Sequence, residues 1–504
     1  MGALVLWEVS KKQQYIFSSN KLKENRGASI IIEDIIELIP NKVNPTYADN
    51  LIYNGGGSSL YIFPTTIEAR EFIKNISEKV LYEYPGVEVF MVIEEYDEDM
   101  EKVKEKIDNA YIKLAIKKNR REHSGGQLSF GIERLCESTG LPANFTEYDL
   151  DGKKRFISSE IKIKIENSEK NSKKFDNLLP VKNSINEFRE LSKGNKNYVA
   201  VVHIDGNQMG KKLNKLKDEF KYEDCDYKEI NKEYLKALKK FSDDIKLAFE
   251  SSFKHMAEEI KRNENDLAQY TKIKEDKFPL IPIIIAGDDI TYVTNGMIGI
   301  ESARIFLEHL NSFGMDINGE TIKLNACAGV AIVRAGYQFY KAYELAEDLC
   351  SNAKKQLLKD YENTDADYSL IDWHIEQGDI IGPILNIRED YYKSLDGKKL
   401  NMRPLYINNP EKWTNYKNFL LANSYITKLQ IDEKQIARSK LKKLREILKK
   451  GEKETEFYLL SNQISNYFPR FKDACGDYCF YDDRCMYYDS IEAMDLFIEL
   501  QKEG

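Results

Sequence analysis

Three aspartates lie at the ends of apolar, strand-like stretches and could bind a divalent metal together. Asp288 and Asp289 occupy the turn of IPIIIAGDDITYVT (281–294), where the flanking β-branched runs predict a β-hairpin. Asp205 ends the earlier apolar run YVAVVHID (198–205). Adjacent carboxylates in a buried hairpin repel each other, and a divalent cation is the usual compensation. A solvated Asp-rich turn explains Gly-Asp-Asp alone, but the second acid-bearing strand favours a metal site.

This arrangement predicts a particular chemistry. An acid at the end of a central strand, beside an acid-bearing hairpin, is typical of polymerase and nucleotidyl-cyclase palm domains. In such a site two Mg²⁺ ions activate a ribose 3′-hydroxyl and neutralise the charge that develops on leaving pyrophosphate. Carboxylate oxygens are hard ligands that suit Mg²⁺ or Mn²⁺. Asp205, Asp288 and Asp289 are therefore predicted to be both metal-binding and catalytic.

The elements that must position these acids occur twice along the chain. The second set comprises the strand ending at Asp205, helices, the acid hairpin, and then a helix (Gly299–Phe313), a strand (Lys323–Val333) and a helix (Gln338–Gln356). The first set has the same order, and its predicted elements are a strand (Ala3–Val9), helices from Lys12 and from Arg26, strands Leu51–Tyr53 and Leu60–Phe63, a helix (Thr66–Tyr84) and a strand (Val87–Ile93). The chain therefore contains an internal duplication.

The first copy has a glycine-rich turn where the second has its acids. Gly56, Gly57, Ser58 and Ser59 take the place of Gly287-Asp288-Asp289, and Glu8 and Ser10 lie where the second copy supplies Asp205. We therefore do not expect a metal site in the first copy. Its glycines could let the backbone approach phosphate or ribose, with the two serines as donors. A flexible hairpin loop explains this segment equally well.

Length and composition narrow the class of protein. A chain of 504 residues is too long for one core, so several domains are expected. The net charge of −8 does not indicate nucleic-acid binding, although a basic face could form locally among residues 440–450. No apolar run approaches eighteen residues and the start has no basic signal region, so we expect a soluble cytoplasmic protein.

The cysteines give a weaker signal. There are seven, an odd number that is consistent with a reducing compartment. Cys475, Cys479 and Cys485 cluster near the C-terminus, but no histidine is close and their spacing matches no common zinc finger. Free thiols are the favoured interpretation over a metal site.

Five motifs, taken in order, resemble the large polymerase-like subunit of type III CRISPR effector complexes. They are QQYIFSSNKLKENRGAS (13–29), GGGSS (55–59), HIDGN (203–207), AGDD (286–289) and ELAEDLCSNAKK (344–355). The resemblance covers nearly the whole chain and implies an α+β fold with two ferredoxin-like palm domains of the nucleotidyl-cyclase type. The domains it implies are a first palm (1–110), a linker with a degenerate zinc module (111–190), a second palm (191–376) with a helical insertion (213–275), and a C-terminal helical domain (377–504).

The resemblance also implies a function. Family members make cyclic oligoadenylate from ATP in antiviral defence, so we expect a Mg²⁺-dependent nucleotidyltransferase that makes cyclic or linear oligoadenylate. Its implied nucleotide contacts are Gly206, Asn207, Gly287, Lys354 and the loop Gly56, Gly57, Ser58 and Ser59, with Lys354 binding phosphate. The implied partners are guide RNA, target RNA, small effector subunits and a downstream effector that senses cyclic oligonucleotides.

The sequence departs from the family pattern in three places. Ala286 replaces a glycine; its methyl would cost on the order of 1 kcal/mol at a positive φ and little at the last extended residue of a strand. No His-Asp pair is present, so DNA cleavage by a histidine-aspartate nuclease domain is not expected. Cys136, in LCESTGLPA (135–143), is all that is left of a zinc module, so packing must replace the metal there.

Three further stretches carry simpler predictions. Residues 153–181 are lysine-rich and predict a solvated linker. Residues 222–274 predict a pair of helices over the second palm, from an apolar series at helical spacing: Leu235, Leu238, Phe241, Ile245, Phe249 and Phe253. A helix containing Leu441, Leu444, Ile447 and Leu448 has a basic outer face that could contact RNA or a partner subunit, or simply be solvated.

Two alternatives from other functional classes stay open. One is a catalytically silent scaffold that seats guide and target RNA, which the retention of all three acids disfavours. The other is a free-standing signalling cyclase that makes a cyclic dinucleotide without guide RNA. Mg²⁺-dependent ATP binding tests the first, and copurification with RNA and small subunits tests the second.

Overall fold

A computed structural model describes the chain except at residues 1, 56, 121–128, 149–151, 171–174, 182–184, 194–196, 223–225, 272–276, 363–365, 377, 379–381, 432–436, 470–478 and 501–504. The side chains of residues 176, 428–431 and 466 are also outside the description. Within the described residues, no helix combines the length and apolar composition needed to cross a bilayer.

The first palm is an antiparallel sheet with helices on both faces. Its elements are β1 (Gly2–Ser10), α1 (Lys12–Phe17), α2 (Leu22–Glu37), α3 (Ile39–Val43), β2 (Leu51–Gly55), β3 (Ser58–Phe63), α4 (Thr66–Glu83), β4 (Glu88–Tyr96) and α5 (Val103–Arg120). The strand order is β2-β3-β1-β4. The central strand β1 is apolar on both faces because both faces are covered: Val5 and Trp7 belong to one core, and Leu4 and Leu6 to another.

A short module and then the second palm follow. The module contains β5 (Phe145–Tyr148), β6 (Lys154–Ile157) and α6 (Ser159–Lys170). The second palm contains β7 (Tyr198–Gly206), α7 (Met209–Glu219), α8 (Tyr227–Arg262), α9 (Glu264–Leu267), β8 (Leu280–Ala286), β9 (Asp289–Asn295), α10 (Gly299–Leu310), β10 (Gly314–Ile317), β11 (Glu320–Lys323), β12 (Ala326–Arg334), α11 (Phe339–Asp360) and β13 (Leu370–Ile375). The large sheet has the order β14-β13-β12-β7-β9-β8.

The C-terminal region is mostly helical. It contains α12 (Ile384–Tyr391), β14 (Leu405–Tyr406), α13 (Tyr416–Ile431), α14 (Arg438–Leu448), α15 (Glu452–Ser461), β15 (Phe480–Tyr481), β16 (Arg484–Cys485) and α16 (Tyr488–Ala493). Leu441, Leu444 and Leu448 are the buried face of α14, and they share one core with the second palm. Cys479 and Cys485 are buried, whereas Cys475 lies outside the described residues. The role of the cysteine cluster stays a prediction.

The predicted duplication is visible in the strand order. The order β8-β9-β7-β12 in the second sheet repeats β2-β3-β1-β4 in the first, with antiparallel pairing throughout. This is the ferredoxin-like arrangement, so the predicted α+β palm fold is confirmed. The second copy is extended by the parallel strand β13 and by the hairpin β10–β11, neither of which the sequence analysis predicted. The domain boundaries drawn from the sequence stay predictions.

The helical pair predicted over residues 222–274 is wrong. One helix, α8, runs without interruption from Tyr227 to Arg262, and only the short α9 follows it. Tyr234 and Leu238 of α8 pack into a core of the first palm, whereas Phe249 and Phe253 pack into the core of the second. A helix with two docking surfaces along its length carries one continuous apolar series, which resembles that of two shorter helices.

The solvated linker predicted over residues 153–181 is also wrong, because β6 and α6 pack against α2. The buried Lys164 of α6 donates from Nζ to Tyr15 O at 2.7 Å and to Glu160 Oε1 at 2.6 Å. Gly27 of α2 allows α6 to approach closely, since a Cβ at this position would lie 1.6 Å from the carbonyl oxygen of Lys164. Cys136 is buried with the apolar side chains Ile157, Ile161 and Ile165, so packing fills the place expected for a zinc module.

Candidate active site

The acid hairpin has the predicted geometry. Strand β8 ends at Ala286, β9 begins at Asp289, and these two residues are paired. Gly287 has φ 64°, a left-handed value that glycine adopts at little cost. Ala286 is the last extended residue of β8, so the methyl group that replaces the family's glycine causes no backbone strain.

Strand β7 brings the third acid beside the hairpin. Asp205 lies opposite Asp289 in the β7–β9 register, and Gly206 N donates to Asp288 O at 3.1 Å. The side chain of Asp288 folds over Gly206, because a Cβ built on Gly206 would lie 2.9 Å from the Cβ of Asp288. The three acids therefore occupy one end of adjacent antiparallel strands.

The crowding of carboxylates shifts a pKa. Burial of Asp288, together with the negative charges of Asp205 and Asp289, raises the pKa of Asp288 to about 6. Burial is the larger cause, and the like charges of the two neighbouring aspartates add to it. A cation placed among these groups would favour the ionised form of all three.

Lys354 of α11 is the first cation that the structure supplies. Its Nζ lies 2.5 Å from Asp205 Oδ2 and donates to Gly206 O at 2.9 Å. Burial of Lys354 disfavours its charge, but the neighbouring Asp205 carboxylate outweighs this and raises the pKa of the lysine. The lysine that the family resemblance singled out is thus in direct contact with one of the three acids.

Asn207, which we expected to contact nucleotide, has a different environment. It is buried, and its Nδ2 donates to Asp367 Oδ1 at 3.1 Å and to Tyr368 O at 2.9 Å. These bonds tie the end of β7 to the segment before β13. Asn207 therefore fixes the strand end that carries Asp205.

Four side chains near the acids were not predicted as site residues. Lys12 of α1 places Nζ 3.4 Å from Asp289 Oδ2, and His203 places Nδ1 3.6 Å from Asp289 Oδ1. Glu347 of α11 accepts from Gln13 Nε2 at 3.5 Å. Burial raises the pKa of Glu347, and this effect outweighs the opposing influence of His203. His203, Gln13 and Glu347 lie inside quoted motifs, so the motifs marked the region without indicating the contacts.

The glycine-rich loop of the first palm lies near the acid hairpin of the second palm. Gly56 is outside the described residues, and Gly57 has φ 89° and accepts at its carbonyl from Val9 N at 3.0 Å. Ser58 donates from Oγ to Gly55 O at 3.2 Å and is partly exposed, whereas Ser59 is fully buried. Of the two serines, only Ser58 is placed to meet a ligand.

A cavity of about 320 Å³ joins the two hairpin turns. Gly55 and Ser58 of the first palm and Gly287 and Asp288 of the second palm contribute to its wall. The rest of its lining is largely apolar and aromatic, and includes Tyr53, Tyr111, Tyr234, Leu238 and Phe241. A flat aromatic ligand with a charged end would suit a cavity of this character.

The acids fit a divalent cation, although they are not gathered around one point. Among the described residues, no three histidine, cysteine or acidic side chains converge closely enough to form a ready metal site. Lys354 holds Asp205, but the buried Oδ1 of Asp289 has no hydrogen-bond partner. Such an oxygen in a cluster of hard ligands is suited to Mg²⁺ or Mn²⁺.

The fold and the acid-bearing hairpin define a palm protein of the nucleotidyl-cyclase type. Residues 198–361, the region that carries the three acids, match the family model described as Cas10/Cmr2, second palm domain. The sequence-based resemblance to the large polymerase-like subunit of type III CRISPR complexes is confirmed at this level. Among curated proteins, none matches the chain.

Solved structures agree on the fold. A chain of the Csm1-Csm4 cassette crystallised in complex with cA4 has a TM-score of 0.56 at 14% identity, over 98% of this chain and 69% of that one. The cassette in complex with one ATP gives a TM-score of 0.54 at 14% identity, over 98% and 69%. The Csm1-Csm4 subcomplex in the type III-A CRISPR-Csm interference complex gives 0.51 at 14% identity, over 94% and 66%.

Proposed function

We propose that this protein is a Mg²⁺-dependent nucleotidyltransferase that makes cyclic or linear oligoadenylate from ATP. The observation that carries the proposal is the placement of Asp205, Asp288 and Asp289 on adjacent strands of the second palm, beside a cavity whose wall includes Asp288 and the glycine-rich loop of the first palm. Structures of the same fold have been crystallised with cA4 and with ATP, which supports adenine nucleotides as ligands.

Each residue has a role in this proposal. Asp205, Asp288 and Asp289 would hold the divalent cations, which supply the Lewis acidity that a ribose 3′-hydroxyl needs to attack an α-phosphate. Lys354 would release part of its contact with Asp205 and bind phosphate. The backbone of Gly57 and the hydroxyl of Ser58 would hold the second nucleotide, and the aromatic cavity would take a base.

The test is to incubate the purified protein with Mg²⁺ and each nucleoside triphosphate separately, and to identify the products by mass spectrometry. Oligoadenylate from ATP without added RNA would support a self-sufficient synthase. Binding of Mg²⁺-ATP without product would mean that an activator such as target RNA is needed. Failure to bind Mg²⁺-ATP at all would contradict the proposal and favour the silent scaffold.

We further propose that the protein works beside small subunits of a type III effector complex, with guide and target RNA and a downstream effector that senses the product. One chain of a subcomplex from such an assembly shares the fold of this chain. Purification from the host under mild conditions should recover small subunits and RNA with the protein. A chain that purifies without them and still makes product would instead be a free-standing cyclase.

A further inference from the structure

Lys12 lies between the glycine-rich loop of the first palm and the acid hairpin of the second. It is the first residue of α1, directly after Lys11, whose left-handed φ of 49° turns the chain from β1 into the helix. The stem of Lys12 lies against the glycine-rich loop, since a Cβ on Gly57 would be 3.0 Å from Lys12 Cδ. Its ammonium lies 3.4 Å from Asp289 Oδ2 of the second palm.

The duplication supplies an internal comparison for this position. In the second palm, α7 also follows a residue of left-handed conformation, Gln208 with φ 52°, and its first residue is Met209. The same backbone path therefore accommodates an apolar side chain at the start of this helix. The lysine at the equivalent place in the first palm differs in bringing an ammonium group within 3.4 Å of Asp289.

The charges of the site explain why the contact is useful. Asp205 is compensated by Lys354 at 2.5 Å, which leaves Asp288 and Asp289 as adjacent carboxylates. The side chain of Asp289 is 15% exposed and that of Lys12 is 22% exposed, so water screens their interaction only in part. In the absence of a divalent ion, Lys12 is thus a principal cation near Asp289, with His203 as a titratable neighbour at 3.6 Å.

We propose that Lys12 of the first palm is a counter-ion for Asp289 in the acid site of the second palm. Without metal and nucleotide it compensates Asp289; when a divalent cation binds there with a nucleoside triphosphate, the ammonium moves to the polyphosphate. This inference rests on the function proposed above. A divalent cation at Asp289 would repel the ammonium, and the polyphosphate supplies a new anionic partner within reach of the flexible lysine stem.

The experiment compares K12M with K11M in the full-length protein, using Mn²⁺ as the probe. Lys11 is the matched control because it is adjacent and its ammonium pairs instead with Glu88 at 3.2 Å. Free Mn²⁺ is measured by electron paramagnetic resonance, first with Mn²⁺ alone and then with Mn²⁺ and α,β-methylene-ATP. K12R keeps the charge and tests whether charge alone suffices.

The expected result is two changes of opposite sign. K12M should bind Mn²⁺ alone about 3- to 10-fold more tightly than the wild type, and the Mn²⁺-nucleotide about 3- to 10-fold more weakly. K11M should match the wild type in both measurements, and K12R should stay closer to the wild type than K12M does. Equal behaviour of K12M and K11M, or two changes of the same sign, would overturn the proposal.

Failure of the proposed function is recognised separately. If the wild type does not bind the Mn²⁺-nucleotide, the nucleotidyltransferase proposal fails. The measurement with Mn²⁺ alone then tests by itself whether Lys12 compensates the charge of Asp289. Tighter Mn²⁺ binding by K12M would then support the pairing of Lys12 with Asp289, and unchanged binding would contradict it. Circular dichroism at the working temperature establishes that each variant is folded.

Discussion

The two palms share a frame and differ at one turn. Glu8 of β1 lies opposite Ser58 as Asp205 of β7 lies opposite Asp289. Each of these strand acids is paired with a lysine from the helix that follows the last strand of the duplicated unit, which is β4 in the first palm and β12 in the second. Glu8 pairs with Lys118 of α5 at 2.7 Å, and Asp205 pairs with Lys354 of α11 at 2.5 Å.

The difference lies in the hairpins. Gly57 and Ser58 of the first palm take the positions of Asp288 and Asp289 in the second. In the first palm the charge of Glu8 is balanced by Lys118, so no surplus of negative charge is left at this pair for a metal to compensate. Two further acids at the turn create a surplus of negative charge that a divalent cation can compensate. The comparison teaches that the proposed chemistry depends on two turn residues, whereas the strand acid and its lysine belong to the shared frame.

The largest expected effect comes from removing that surplus. D288A/D289A should lower oligoadenylate formation by at least about a thousandfold, because the ligands for divalent cations are lost. Product is measured by mass spectrometry or with labelled ATP, and circular dichroism shows whether the fold is kept. D483N, at an exposed carboxylate, is the control. Unchanged product from the double variant would falsify the assignment of the site to the second palm.

The equivalent lysines should differ in importance. K354M should reduce product formation about 10- to 100-fold, because Lys354 contacts a metal-binding carboxylate and is proposed to bind phosphate. K118M removes the equivalent pair in the first palm and should reduce it less than about 3-fold. Initial rates at saturating ATP provide the measurement. Equal losses in the two variants would show that the palms contribute alike to catalysis.

In EDTA, the free energy of unfolding should depend on pH because of the crowded carboxylates at the acid hairpin. The pKa of Asp288 is raised from 3.8 to about 6 in the folded protein, so the folded state holds the proton more tightly than the unfolded state. The stabilising contribution of the protonated group is complete below about pH 4 and is lost as the pH rises through about 6.

Substitution of Asp288 should remove this pH dependence. At pH 7 in EDTA, D288N should be more stable than the wild type by on the order of 2 kcal/mol, and the difference should shrink towards pH 4. Urea unfolding at several pH values measures both. S58A, in the equivalent hairpin of the first palm, should show no such pH-dependent gain. A wild type whose stability rises between pH 4 and 6 relative to D288N would contradict the origin given for the shift.

The smallest effect concerns the glycine-rich loop. G57A should destabilise the protein by about 1 kcal/mol, because Gly57 has φ 89° and the new methyl would press on Lys12 Cδ. G55A is the matched control, since the nearest atom to its methyl is Ser242 Oγ at 3.8 Å. Thermal unfolding compares the two. Equal stability of both variants would mean that the loop readily adopts another conformation.

Much of the fold could be predicted from the sequence, for physical reasons. Strands β1, β7, β8 and β9 are continuous apolar runs because helices cover both faces of the sheets, and such runs are evident without coordinates. The duplication and the acid hairpin followed from the order of those runs. The hairpin β10–β11 was missed because it is short and largely exposed, so its composition carries little apolar pattern.

The rest depended on contacts between distant segments. Lys12 and Asp289 are far apart in sequence, and no local pattern indicates that a helix of one palm reaches the turn of the other. The lysine-rich stretch before the second palm was taken for a solvated linker because its composition suggested one. Only the structure shows that Arg155 and Lys164 are buried, where each is paired with a carboxylate.

The long helix α8 has a consequence for how the chain folds during synthesis. Its residues Tyr234 and Leu238 complete a core whose other members include Leu4 and Leu6 of the first strand. Helix α5 covers part of that face, but the part against which α8 packs stays uncovered while the ribosome synthesises the module and the first strand of the second palm. The packing of this core is therefore completed only after residue 238 has been synthesised, because it needs a helix that belongs to the second copy.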